Sequence, residues 1–165
     1  MQKNRIVFEW EEYDSIADLG NEEDRGLLLE ARNATQHAFA DFSNFRVGAA
    51  ARVKGEKDIY YGSNQENASY PVGICAERAL MASVASKFGS KKVIEVMAIS
   101  YENANKGRKS NEPISPCGMC RQALVQYEGN TGHPIRLILS GKEGKVFIIK
   151  EANQLLPLGF DGSVL

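Results

Sequence analysis

Apolar residues along the chain switch between a helical spacing and a strand-like one. Leu27, Leu28, Ala31, Ala34, Ala38 and Phe39 recur at three- and four-residue intervals, so Glu22 to Ala40 reads as an amphipathic helix. Asn21 stands before it as an N-cap, and Glu22, Glu23 and Asp24 put acids in the first turn, where they complement the helix dipole. Phe42 to Arg46 reads as a loop. Val47 to Lys54 and Asp58 to Gly62 are two short strands joined by a turn at Gly55. Gly62 to Gly73 is polar and glycine-containing, a loop. From Cys75 the helical spacing returns through Ala79, Leu80, Ala82, Ser83, Ala85 and Phe88 and stops near Gly89. Val93 to Tyr101 is a run of buried-strand character. Glu102 to Ser115 is a long polar loop. A helix starts at Cys117 and runs to about Tyr127, Ile135 to Leu139 and Lys145 to Lys150 are strands, and Glu151 to Leu156 makes a last helical turn or two. Arg5 to Tyr13 fits a short strand.

This order predicts an α/β domain with three α/β/α layers, a mixed sheet of about five strands and helices on its faces. The 165 residues fit one domain, with 21–165 as its body and 1–20 as an N-terminal extension of unassigned role. Repeats and linkers are absent.

Composition narrows the function. The formal net charge is −1, which argues against a nucleic-acid backbone binder. The basic cluster Lys106 to Lys109 reads as solvated surface. No apolar run reaches membrane-spanning length and the first ten residues lack a secretory apolar core, so the expectation is no membrane partner and a cytoplasmic location.

The three cysteines change the picture most. Cys117 and Cys120 lie three apart at a predicted helix start, so both sulfurs face one side; Cys75 opens another helix. Partial positive charge at a helix N-terminus favours the thiolates that a metal needs. Three thiolates leave a tetrahedral zinc one ligand short, the mark of a catalytic site open to water. A closed structural site would need a fourth ligand, and His37 and His133 lack ligand-like spacing to the cysteines. A Cys-x-x-Cys redox pair would not use the third cysteine.

Glu77 follows Cys75 by two residues. A ligand-x-Glu segment followed by Pro-Cys-x-x-Cys, here Cys75-Ala76-Glu77 and Pro116-Cys117-Gly118-Met119-Cys120, is the signature of zinc nucleobase deaminases. Zinc acidifies its water, and a carboxylate beside it can move the proton. By itself, such a glutamate is more often a solvated helix-start acid. Arg78 and Arg121 each follow the motif closely and are candidates to offset thiolate charge by donating to sulfur. The bland alternative for both is surface ion pairing.

With these residues in place the chain resembles the small cytidine deaminases of the three-cysteine branch, over about Ala31 to Phe160. Phe45-Arg46-Val47-Gly48-Ala49-Ala50 is similar to a family strand, and Asn64-Gln65-Glu66-Asn67-Ala68-Ser69-Tyr70 to its nucleoside-binding loop. Leu155-Leu156-Pro157 with Phe160 is similar to its C-terminus. Arg46 stands where the family often has proline. The resemblance implies zinc, a homo-oligomer of tetrameric type, and hydrolysis of cytidine and 2′-deoxycytidine to the uridines and ammonia, in pyrimidine salvage. It implies that Asn64 and Glu66 bind the ribose 3′-hydroxyl, Phe45 packs on the pyrimidine and the Ala76 amide meets the base carbonyl. Phe160 and Tyr70 would close a neighbouring subunit's site. Other readings are a deaminase for a cytosine-bearing antibiotic and a zinc-stabilised binding module without catalysis.

Overall fold

Six strands form one sheet in the order β1-β6-β5-β4-β2-β3. They are β1 (Glu11–Tyr13), β2 (Phe45–Val53), β3 (Ile59–Ser63), β4 (Ile94–Asn103), β5 (Arg136–Ser140) and β6 (Val146–Ile149). Only β4 and β5 pair in parallel; the other neighbours are antiparallel. The structure, a computed structural model, describes residues 1–162. Three helices cover the sheet: α1 (Glu22–Ala34), α2 (Ala76–Phe88) and α3 (Gly118–Thr131).

The two faces follow from the two-residue period of the strands. Ala49, Ala51 and Val53 of β2 join Met97, Ile99, Leu137 and Leu139 in a core with Leu80 and Val84 of α2 and Leu124 of α3. The intervening Ala50, with Val96, Ala98 and Ile138, packs on Leu27, Leu28 and Ala31 of α1. The expected three layers are therefore present, with one helix on one face and two on the other.

Glycines bring helices into contact with the sheet. A Cβ on Gly62 would lie 2.7 Å from both the Ala76 carbonyl and the Leu80 amide, so only glycine lets the first turn of α2 rest on β3. A Cβ on Gly48 would strike the Ala31 carbonyl at 2.2 Å, which seats α1 on β2 in the same way.

Several boundaries differ from the sequence expectation. The first helix ends at Ala34 and tightens into a 3-10 turn over Thr35–His37 rather than reaching Ala40, because the Thr35 hydroxyl bonds back to the Arg32 carbonyl. Phe45 and Arg46 belong to β2, since they pair with Asn103 and Glu102 of β4. The last helix runs on to Thr131 and stops at Gly132, which is left-handed at φ 64°. Of Arg5 to Tyr13, only Glu11–Tyr13 is a strand. It pairs with β6 and makes a sixth strand where about five were expected. Leu19 is buried in the α1 core, so the segment before α1 takes part in the fold.

Candidate metal centre and active site

The N-termini of α2 and α3 meet. Cys75 and Cys117 are their N-caps, both with extended backbone (ψ 154° and 167°) and neither with a side-chain capping bond. Their sulfurs are thus free to point away from the helix ends. Sγ of Cys75 lies 3.7 Å from that of Cys117, which lies 3.5 Å from that of Cys120. All three fall within 4.8 Å of one another. Zinc–sulfur bonds of about 2.3 Å at tetrahedral angles separate sulfurs by about 3.8 Å, so the cluster fits zinc.

The fourth corner has no histidine. His37 stacks on Tyr61 with ring centroids 5.5 Å apart, and His133 turns its Nδ1 to the Pro134 carbonyl at 2.7 Å. Neither belongs to a ligand cluster among the described residues. The donor set is therefore three thiols, which would hold zinc and leave it one ligand short of four.

The thiols interact with one another. The neighbouring Cys120 thiol, then Cys117 and the positive charge of Arg78, lower the pKa of Cys75 to about 6. Cys120 is pushed up by the adjacent Cys75 and by burial. Glu77, one residue into α2, is only 4% exposed. Burial raises its carboxyl to about 7, and the negative charge of Cys75 adds to this. A carboxyl poised near neutrality beside the thiol cluster is suited to taking and giving protons.

Arg78 contributes a smaller, purely charge-based lowering of Cys75, and among the described residues no hydrogen bond joins its guanidinium to sulfur. Arg121 is placed otherwise. Its Nε donates to the Pro116 carbonyl at 2.8 Å and its Nη1 to the Leu155 carbonyl at 3.1 Å. Those bonds tie the residue before Cys117 to the C-terminal segment, and neither is to sulfur.

Of the remaining predicted residues, Phe45, Asn64 and Glu66 are tied to one another through hydrogen bonds. Phe45 lies on the α2–α3 side of β2 and stacks on Tyr101, centroids 5.0 Å apart and rings tilted by 18°. The Asn64 side chain clips β2 at two points: it accepts from the Val47 amide (2.7 Å) and donates to the Phe45 carbonyl (3.0 Å). Glu66 accepts the Phe42 amide at 2.9 Å, the Ser43 amide at 3.2 Å and the Ser43 hydroxyl in a short bond. The hydroxyl is the main reason its carboxyl is held below the usual range. Ala76 is the first residue of α2, where an amide has no partner within the helix. Tyr70 and Phe160 stand apart, 87% and 61% exposed.

Sequence reasoning missed Ser43, Tyr101 and Gln122. Ser43 joins Glu66 to the Phe45 amide, Tyr101 backs Phe45, and Gln122 donates to the Phe160 carbonyl at 2.7 Å. Only Gln122 carried a signal, its place just after the Cys-x-x-Cys segment.

The chain is similar to known proteins. Residues 21–131 match the family model of the cytidine and deoxycytidylate deaminase zinc-binding region. A cytidine deaminase of Mycoplasma genitalium is 36% identical over 101 residues, covering 61% of this chain and 70% of that protein. A probable cytidine deaminase of Dictyostelium discoideum is 36% identical over 110 residues, 66% of this chain and 68% of that one. The crystal structure of a cytidine deaminase from Burkholderia pseudomallei superposes with a TM-score of 0.70 at 31% identity, covering 82% of this chain and 97% of its own. The family match spans the two helix starts that converge on the cysteines, and the chain belongs to the cytidine and deoxycytidylate deaminase family.

Proposed function

We propose that the protein hydrolyses cytidine and 2′-deoxycytidine to the corresponding uridines and ammonia, using zinc held by Cys75, Cys117 and Cys120. The observation that carries this reading is the buried Glu77 beside a cluster that offers three ligands. When bound there, zinc supplies the Lewis acidity that makes a water nucleophilic near neutral pH.

The chain's own residues supply the rest. Glu77 takes a proton from the attacking water and hands it to N3 of the base; it then takes the remaining proton from the new C4 hydroxyl and delivers it to the amine as the C4–N bond breaks. The free amide at the start of α2, that of Ala76, faces the base carbonyl. Phe45, held flat by Tyr101, covers the pyrimidine. Asn64 and Glu66 address the 3′-hydroxyl; each has acceptor capacity beyond the bonds it already makes. Arg78 offsets the thiolate charge, whereas the carbonyl bonds of Arg121 favour a bracing role. Exposed Tyr70 and Phe160 fit residues that close a neighbour's site, so the working form is a homo-oligomer, a tetramer by family habit. Residues 1–20 are an extension outside the family match. Pyrimidine salvage in the cytoplasm is the setting this activity suits.

The test is ammonia release and absorbance loss on cytidine, deoxycytidine, free cytosine and a cytosine-bearing antibiotic, repeated after zinc chelation. Turnover of the two nucleosides that chelation abolishes is expected. Preference for the antibiotic, or no ammonia from any of them, overturns the reading.

A further inference from the structure

Glu66 and Phe45 come from different segments, and one side chain joins them. Ser43 Oγ donates to Glu66 Oε1 and accepts the Phe45 amide at 3.0 Å. Any shift of Ser43 therefore moves a sugar-side carboxylate and a base-side ring together. What holds Ser43 is a residue 62 positions away: its carbonyl accepts from Asn105 Nδ2 at 2.8 Å.

Asn105 belongs to the long polar stretch Glu102 to Ser115, to which no motif assigned a purpose. It is firmly set. Its amide and its Nδ2 both reach Asn103 Oδ1, at 3.1 and 2.9 Å. Its Oδ1 accepts from Asn44 Nδ2 at 3.3 Å, and the Ala104 amide meets the Asn44 carbonyl at 2.9 Å. Asn44 is left-handed at φ 56°, a conformation that asparagine tolerates and that these bonds fix.

The other end of the stretch is braced as well. The buried Ser110 donates no slack: its hydroxyl accepts the Asn103 amide at 2.8 Å, and its carbonyl accepts from the Glu143 amide at 3.2 Å. A Cβ on Gly141 would lie 2.0 Å from the Ser110 carbonyl, and one on Gly144 2.2 Å from that of Asn111. The β5–β6 turn thus grips the stretch by its backbone, and Asn105 projects from a fixed base.

We propose that Asn105 is a positioning residue for substrate binding: it holds Ser43, and through Ser43 the mutual placement of Glu66 and Phe45. The stretch from Glu102 to Ser115 then belongs to the sugar-recognition apparatus. The inference rests on the deaminase reading given above.

Two variants test it. Asn105→Asp keeps the acceptor and removes both donors of Nδ2; Asn105→Ala removes the whole contact. The side chain is exposed, so both should melt within a degree or two of wild type, about what a surface change costs. The expected result is a KM for cytidine raised about tenfold with kcat within about twofold, the effect of one lost hydrogen bond on binding. The preference for cytidine over 3′-deoxycytidine should fall along with it, since a displaced Glu66 no longer rewards the 3′-hydroxyl. A merely structural role would lower the melting temperature and leave that preference alone. Wild-type KM, or an unchanged preference, in both variants overturns the assignment while wild-type turnover keeps the deaminase reading. A wild-type protein inert to cytidine overturns both.

Discussion

The Gln122 side-chain amide donates to the Phe160 carbonyl at 2.7 Å, tying the first turn of α3 to the C-terminal segment. Arg121, next to it, holds the Leu155 carbonyl at 3.1 Å. The turn that supplies Cys120 therefore also sets where Phe160 is presented. Gln122→Leu should raise KM several-fold, leave kcat nearly unchanged, and speed clipping of the C-terminal segment. Steady-state kinetics and timed proteolysis followed by mass spectrometry check this; an unaltered cleavage pattern with wild-type KM would refute it.

Glu77→Gln should keep its zinc and its fold and lose turnover by a factor of about 10²–10⁴ or more, the usual contribution of a general acid–base. Metal analysis together with ammonia release reads both halves. Wild-type activity in this variant would sink the catalytic assignment.

The same substitution should shift the pH dependence of the metal-free protein. Burial raises the Glu77 carboxyl to about 7, above its unfolded range. The folded state thus holds that proton more tightly than the unfolded chain. The associated stability is complete in acid and is lost as pH rises through about 7. Glutamine cannot titrate, so metal-free Glu77→Gln should gain several degrees in Tm over wild type between acid and mildly alkaline buffer. Calorimetry across that span decides it; parallel curves would contradict it.

Chelation should abolish turnover and added zinc should restore it. Zinc affinity should fall as pH drops, because binding must expel thiol protons and that of Cys120 is held especially firmly. Competition against a chromophoric chelator at several pH values measures this. Affinity independent of pH would argue against a thiolate site.

Glu128 is buried, and its carboxylate accepts the amides of Ile135 (2.7 Å), Ala152 (3.1 Å) and Asn153 (3.1 Å). It joins the end of α3 to the start of β5 and to the turn after β6. Glu128→Ala leaves these donors without a partner and should cost roughly 2–4 kcal/mol. Glu128→Gln, which keeps one acceptor oxygen, should cost less. Urea unfolding gives both values, and a loss under about 0.5 kcal/mol, the range of an ordinary surface change, would exclude the bracing role.

Periodicity alone identified the helices, most of the strands and the three layers, because burial on a helix stripe or a sheet face leaves a repeating trace in sequence. The spacing of Cys117 and Cys120, with Cys75 and Glu77 at another helix start, made the metal centre legible for the same reason: local backbone geometry dictates where neighbouring side chains point. What came only from the tertiary structure depends on residues far apart in the chain. The pairing of Glu11–Tyr13 with β6, the turn of Arg121 toward carbonyls, the stacking of Tyr101 on Phe45 and the hold of Asn105 on Ser43 all arise where distant segments meet. A polar side chain takes whichever donor or acceptor the fold sets beside it, and spacing along the chain does not encode that choice.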